Sequence, residues 1–361
     1  MIAFVFGGSA TSAGERERES VRGIVTRADI PLYRRINLNK SVPWVPWERA
    51  PVGDPALIAA DTTKLYPHDI DALQLLYDCL VLSTPTLARC VYQYTSRNTR
   101  THDAVRLAEI GLRGLWRRGM VLQSRPRSVG SGCPPFLWRI SAAGYELLRL
   151  HSWQYIPEQN PDRGYTPAKC TNTQTYHHAT VNDFCARWID RVEDASEPED
   201  AWIEWTPCGK TTFTAKVEGQ HIQIRPDAVV TVGMPGNANV YFVEWERSAS
   251  KQHLWDKLAR LAAFNAVQAW RPASLFAAPR YLVVAWDQPD PALARRKEQL
   301  CTLAALRDIA AEHEEGQHTV FVRGEDIDQG RYMGHFLNGK EVDLLWNGAP
   351  ARPHNDIARF Q

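Results

Sequence analysis

The chain has 361 residues, and its 42 Lys and Arg residues nearly balance 41 Asp and Glu residues, which gives a formal net charge of +1. This balance excludes a uniformly basic nucleic-acid tail and an acidic disordered chain, and the 44% hydrophobic content is ordinary for globular proteins. We expect no membrane span and no signal peptide, because no apolar run is long enough and MIAFVFGG lacks a basic lead. The seven scattered cysteines form no CxxC pair, which favours reduced thiols and a cytoplasmic location.

The pattern up to residue 150 predicts an irregular N-terminal arm over 1–65 and a small domain over 66–150. Apolar periodicity and capping residues indicate a helix with Asp69 as its N-cap, a short helix after Ser83-Thr84-Pro85, and a third helix over 102–118 that ends at Gly119. Two strands at 120–123 and 136–140 and a last helix ending near Leu150 follow. The order helix, helix, helix, hairpin, helix is that of a winged helix-turn-helix, whose third helix enters the major groove of DNA.

The third helix of this domain has two separate faces. At about 100° per residue, one face is apolar and consists of Val105, Ala108, Leu112, Leu115 and Trp116. Arg106, Arg113 and Arg117 lie together on another face. Because a guanidinium binds phosphate or guanine edges through two parallel hydrogen bonds, this face predicts contact with double-stranded DNA.

Further arginines surround this helix. Arg97 and Arg100 precede it, and Arg125 and Arg127 lie in the predicted hairpin, or wing. Between Pro85 and Leu150 there are eleven Arg, no Lys and three acids, a balance of +8. The alternative is a solvated arginine face in an Arg-rich chain, since only nine of the 42 basic residues are Lys; the segregated stripe favours DNA contact.

The second half of the chain predicts a different domain. A Pro-rich linker over 151–175 leads into a domain over 176–325, and 326–361 forms a C-terminal extension. The predicted order is a helix near 176–192, five strands between Trp202 and Trp245, a helix over 251–269, a strand over 281–286, a helix over 291–313 and a strand over 319–322. This order indicates an α/β (α+β) domain with a mixed sheet.

Three acids in this domain lie next to apolar strands. Asp227 begins one predicted strand, and Glu244 and Glu246 lie two residues apart on one face of the next. A carboxylate in an apolar strand is costly unless it is paired or binds a cation, and Asp227 and Glu244 together would suit Mg²⁺. Lys257, on the following helix, could reach the same place. The alternative is a structural network in which Arg225 or Arg247 pairs with the acids.

These residues also carry a family resemblance. The chain resembles the replication-relaxation family of plasmids and other mobile elements, and its second domain is similar to restriction-endonuclease-like cores of the PD-(D/E)xK class. The matching features are the winged helix, His177-His178 with Asn182, Arg225-Pro226-Asp227-Ala228, the 242–247 strand Phe-Val-Glu-Trp-Glu-Arg, and Lys257-Leu258. The resemblance implies a DNA-handling protein of plasmid or mobile-element replication and maintenance.

Carried over by residue, the resemblance makes Asp227 the metal-binding aspartate and Glu244 the first acid of the second motif. A nicking activity would use Asp227, Glu244, Glu246 and Lys257 around Mg²⁺. Glu246 stands where that class has its lysine, so Lys257 either replaces that lysine or the site is inactive. Two functions therefore stay open: a DNA-binding protein with Mg²⁺-dependent nicking activity, and a non-catalytic replication or transcription factor that uses the nuclease-like fold as a scaffold. Contacts with replication or conjugation proteins and a homodimer also stay open.

Overall fold

The computed structural model describes residues 2–3, 47–49, 65–92, 101–125, 135–151, 172–195, 202–207, 211–234, 237–246, 251–285, 303–328 and 330–344. The chain divides into two compact units. One contains residues 31–187 and 207–210, and the other contains residues 1–30, 188–206 and 211–361. In the described ranges, no helix is both long and apolar enough to cross a membrane.

The first unit combines helices with a three-stranded antiparallel sheet, in which the strand over 137–140 lies between the strands over 82–83 and 121–124. Its elements in chain order are α1 (Pro67–Cys79), β2 (Leu82–Ser83), α2 (Thr84–Leu87) followed by a π-helical turn (Ala88–Tyr92), α3 (Thr101–Arg117), β3 (Val121–Ser124), β4 (Leu137–Ile140), α4 (Ala142–His151) and the first part of α5 (Asn172–Ala195). The described residues of 66–150 thus contain helices and a pair of antiparallel strands, with β2 as a strand that the sequence pattern did not predict.

Local sequence explains where these helices begin and end. Pro67 is the first residue of α1, and Tyr66 is its N-cap. Asp69, predicted to be the N-cap, lies in the first turn of the helix, where its carboxylate accepts a hydrogen bond from the Tyr66 amide at 3.1 Å. Ser83 caps α2, since its hydroxyl accepts from the Thr86 amide at 3.2 Å. Gly119 follows α3 with a φ of +72°, which allows the chain to leave the helix as predicted.

The second unit is built on a mixed sheet of order β1-β5-β8-β9-β10-β11-β12-β13. The bounds are β1 (Ile2–Ala3), β5 (Trp202–Pro207), the separate hairpin β6 (Phe213–Val217) and β7 (Gln220–Ile224), β8 (Ala228–Met234), β9 (Asn237–Trp245), α6 (Lys251–Ala266), β10 (Arg280–Ala285), α7 (Leu303–Ala311), a 3₁₀ turn (Glu314–His318), β11 (Val320–Arg323), α8 (Gly324–Asp328), β12 (Met333–His335) and β13 (Glu341–Asp343). The α/β class and the mixed sheet are confirmed.

The centre of this sheet contains both pairing directions. β8 and β9 are antiparallel, whereas β9, β10 and β11 are parallel neighbours. Parallel neighbours need a crossover connection, and α6 lies between β9 and β10 in the chain. The sheet continues past the predicted boundary at residue 325, because β12 and β13 pair next to β11, and α5 already begins within the predicted linker.

One face of the sheet packs against α6 and α7. Alternate residues of β9 and β10 contribute to this core, and α6 supplies an apolar stripe of Leu254, Leu258, Leu261 and Phe264. Phe242 is fully buried there, with its ring centroid 6.2 Å from that of Phe264. Because residues two apart in a strand share a face, Glu244 and Glu246 follow Phe242 onto the same side as α6.

Candidate functional site

The first candidate site is the outer face of α3. Ala108, Leu112 and Leu115 on its inner face are fully buried, as predicted, while Val105 and Trp116 are half-buried. Within residues 104–117 the exposed side chains are three arginines and two aliphatic residues: Arg106, Leu107, Ile110, Arg113 and Arg117. We call these five residues the arginine face. Glu109, three residues after Arg106 and four before Arg113, borders this face and is half-buried.

The helix is held by close packing on its inner side. A Cβ atom at Gly111 would collide with the hydroxyl of Tyr92 in the π-helical turn, so glycine at this position permits a close approach between that turn and α3. Trp116 donates a hydrogen bond to the carbonyl of Glu48 at 3.2 Å. The orientation of the arginine face is therefore fixed by contacts on the opposite side of the helix.

Of the other arginines predicted to bind DNA, only Arg125 belongs to the described residues. Arg125, directly after β3, is exposed, and its guanidinium carbon lies 4.8 Å from the centroid of the Phe136 ring. Arg97, Arg100 and Arg127 lie outside the described residues. Asn182, one of the resembling positions, has a structural role: it is buried and donates hydrogen bonds at 2.9 Å to the carbonyls of Cys79 and Val81.

The second candidate site lies at the edge where β8 begins and β9 ends. It consists of Asp227, Glu244, Glu246 and Lys257, which we call the acid–lysine cluster. Ala228 pairs with Val243, and the Asp227 amide donates to the Val243 carbonyl at 3.0 Å. Asp227 therefore lies just outside β8, next to Glu244 on the neighbouring strand.

Lys257 joins the two glutamates, as the sequence suggested. Its Nζ donates to Glu244 Oε2 at 2.7 Å and also to Glu246 Oε1. The side chains of Glu244 and Glu246 are only 4% and 7% exposed, and that of Lys257 is 21% exposed. Lys257 reaches them because it lies on the apolar stripe of α6, between Leu254 and Leu261 at helical spacing.

The remaining contacts hold the cluster in position. The Asp227 carboxylate accepts a hydrogen bond from the Trp245 amide at 2.9 Å, and the Thr211 hydroxyl donates to the Pro226 carbonyl at 2.7 Å. The Tyr281 hydroxyl donates to the Lys257 carbonyl at 3.2 Å. These bonds tie the turn before β8, the end of β9 and α6 together through both backbone and side chains.

Burial and an excess of acids perturb the cluster's proton affinities. Burial raises the pKa of the Glu244 carboxyl to about 8; the Lys257 ammonium opposes this rise, while the charges of Asp227 and Glu246 add to it. Burial alone would lower the pKa of Lys257, but Glu244 and Glu246 outweigh burial and raise it. The cluster thus contains one ammonium, bonded to two of its three carboxyl groups, and the excess of acids favours uptake of a proton or another cation.

The described residues test one of the two arginines that could have paired with these acids. Lys257, and not Arg225, pairs with Glu244 and Glu246; within the described ranges no ion pair joins Arg225 to either acid, and Arg247 lies outside them. The same ranges contain no group of three His, Cys, Asp or Glu residues arranged to hold a metal ion. Asp227 and Glu244 still fit Mg²⁺ in chemistry, since one or two carboxylates plus water and phosphate oxygens suffice for it.

Sequence reasoning did not identify two features of these sites. Leu107 and Ile110 are exposed within the arginine face, at 43% and 61%. Their spacing in the sequence could have revealed them. Leu107 and Ile110 are three residues apart, and Ile110 lies four residues after Arg106 and three before Arg113, so helical periodicity places Ile110 beside the arginines. The Tyr281 contact depends on β10 pairing beside β9, which no local pattern indicates.

Comparisons with known proteins add no relative: no family model, no curated protein and no solved structure matches this chain.

Proposed function

We propose that the chain is a double-stranded-DNA-binding protein whose first unit is a winged helix-turn-helix that places α3 in the major groove. The observation that carries this proposal is the arginine face. Its exposed charged side chains are all arginines, and they project from one side of a helix whose other side is buried. Such a face matches a row of phosphates and guanine edges in both charge and hydrogen-bond geometry.

The neighbouring elements support this assignment. α2 with the π-helical turn and α3 supply the two successive helices of a helix-turn-helix, and β3 with β4 supplies the hairpin of a wing. Arg125 lies exposed at the end of β3, where the hairpin leaves the sheet. Helix and wing thus both present guanidinium groups. The resemblance to the replication-relaxation family suggests replication or maintenance of a plasmid or mobile element as the setting.

The direct experiment compares two triple variants of the full chain on a labelled duplex. One replaces Arg106, Arg113 and Arg117 by Gln, and its matched control replaces three exposed arginines outside α3, Arg260, Arg271 and Arg323. Both remove three positive charges, but we expect only the α3 variant to lose affinity, by about 100-fold at 0.15 M salt if each arginine neutralises one phosphate. Equal losses for the two variants would overturn the assignment of α3.

We propose Mg²⁺-dependent DNA nicking as a second function, located at the acid–lysine cluster in a nuclease-like second unit. The observation that favours it is the position of Lys257, whose ammonium contacts Glu246, the residue that stands where the PD-(D/E)xK class has its lysine. An ammonium is therefore supplied to that place from α6. Asp227 and Glu244 would hold Mg²⁺, which when bound supplies positive charge to stabilise a phosphate oxygen.

In this proposal the residues of the chain have separate tasks. Glu244, with its raised pKa, gives up its proton as the site takes up a cation. Lys257 remains beside Glu246 and places an ammonium where it can orient water and stabilise charge on the phosphate. The Trp245 amide, through its hydrogen bond to Asp227, fixes that carboxylate near the end of β9.

Supercoiled plasmid provides the test of nicking. The full chain with Mg²⁺ should convert it to the open-circular form, and Asp227→Asn should abolish conversion. Asp256→Asn is the matched control, since Asp256 is an exposed acid on α6 bonded to Gln252, and it should nick normally. Plasmid left intact by the unmodified chain with Mg²⁺ or Mn²⁺ would refute nicking and favour the alternative, a non-catalytic factor that uses this unit as a scaffold.

A further inference from the structure

Two aliphatic side chains lie within the arginine face, and DNA binding through arginine alone does not explain them. Ile110 is 61% exposed and Leu107 is 43% exposed, and they are one helical turn apart. Single exposed aliphatic residues are common on protein surfaces. This pair differs because Ile110 lies one turn after Arg106 and one turn before Arg113, in the middle of the charged face.

The position one turn beyond Ile110 is also unusual. Gly114 lies there, and among the described residues a Cβ atom at this position would have only Arg118 Nη2 within 4 Å, at 3.9 Å. Packing against the described residues therefore does not require glycine, in contrast to Gly111, yet glycine destabilises a helix interior. A missing side chain next to Ile110 leaves a depression in the helix surface, of the kind that permits close approach of a ligand.

The positive charge near this depression indicates which kind of molecule binds there. Arg106, Arg113 and Arg117 form a row beside Ile110, so a second copy of the chain that presented the same face would bring like charges together. A DNA major groove instead offers negative phosphates at its edges and one apolar group on its floor, the C5-methyl of thymine. Both kinds of side chain on the arginine face then have partners.

We infer that Ile110, beside Gly114 and with Leu107 at its flank, contacts thymine methyl groups in the major groove and makes recognition depend on A·T pairs. The inference rests on the proposed DNA binding and adds to it the class of base that is read. Arg106, Arg113 and Arg117 position the helix on the backbone, or on guanine, and Ile110 distinguishes thymine from cytosine through the methyl group.

The test removes the methyl groups without changing the phosphates. The full chain first selects its preferred duplex from a random-sequence library, and that duplex is then remade with deoxyuridine in place of each thymine in turn. At one or more positions, we expect affinity to fall about threefold to fourfold per methyl contacted. Ile110→Ala should bind thymine and deoxyuridine duplexes equally, with the affinity that the unmodified chain has for deoxyuridine.

Arg113→Gln is the control for loss of affinity in general. It should weaken binding to both duplexes by the same factor and so preserve the ratio between thymine and deoxyuridine. If the chain binds a selected duplex but no deoxyuridine substitution changes affinity, the thymine inference is wrong and DNA binding stands. If no duplex is bound, both fail. A dimer in the absence of DNA that Ile110→Ala disperses would identify a second copy as the occupant and overturn the inference.

Discussion

Removal of the Lys257 ammonium should destabilise the second unit far more than removal of a lysine from the surface of the same helix. Lys257→Met keeps the apolar stem on α6 but leaves Glu244 and Glu246 buried without their cation. Breaking a buried ion pair by removing one partner costs about 3–5 kcal/mol, and the 21% exposure of the Lys257 side chain places the expected loss near the lower end, at about 3 kcal/mol.

Lys251→Met is the matched control on the same helix. Lys251 pairs with Glu312, but these side chains are 56% and 52% exposed, and exposed pairs contribute about 0–1 kcal/mol. Denaturation by urea at pH 8, followed by circular dichroism, should therefore show a large decrease in the midpoint for Lys257→Met and a small one for Lys251→Met. Similar midpoints for the two variants would refute the buried, paired state of Lys257.

Three further predictions follow from the same contacts. The pKa of Glu244 is raised to about 8 in the folded chain. Its contribution to the free energy of unfolding is therefore greatest below about pH 4.5 and is lost as the pH rises towards 8, by at most about 1.4 kcal/mol per pH unit. Glu244→Gln should flatten the dependence of stability on pH in that window, and an unchanged dependence would contradict the raised pKa. If Asp227 and Glu244 hold Mg²⁺, about 10 mM Mg²⁺ should raise the melting temperature of the unmodified chain, because a ligand that binds only the folded state stabilises it. It should not raise the melting temperature of Asp227→Asn. Gly111→Ala should lower the melting temperature, because its methyl group meets the Tyr92 hydroxyl. Gly114→Ala should preserve or raise it, since among the described residues a methyl group there comes near only Arg118 Nη2, at 3.9 Å.

The sequence predicted the helices and strands well where periodicity was clear. The apolar stripe of α3 identified Ala108, Leu112 and Leu115 as core, and these side chains are fully buried. The same arithmetic placed the three arginines on a separate face, and all are exposed. Periodicity succeeds here because a helix with one buried side repeats every 3.6 residues, whatever the rest of the fold does.

Features that depend on pairing between distant segments were harder to predict. Strand spacing showed that Glu244 and Glu246 share a face, but only the structure shows that Lys257 is the cation between them and that Tyr281 reaches α6 from β10. Strands β12 and β13 carry little local signal, because they are three residues each and are specified by pairing beside β11. Asp69 was misassigned because an acid three residues inside a helix resembles an N-cap when the preceding residues are not considered.

The measurement that tests DNA binding by α3 most directly is the salt dependence of duplex affinity. For the unmodified chain, the logarithm of the association constant should fall linearly with the logarithm of salt concentration. Replacing Arg106, Arg113 and Arg117 by Gln should reduce that slope by about 2.7, since each phosphate contact contributes about 0.9, while the control triple variant of Arg260, Arg271 and Arg323 should keep the original slope. An α3 variant with the slope and affinity of the unmodified chain would contradict the account.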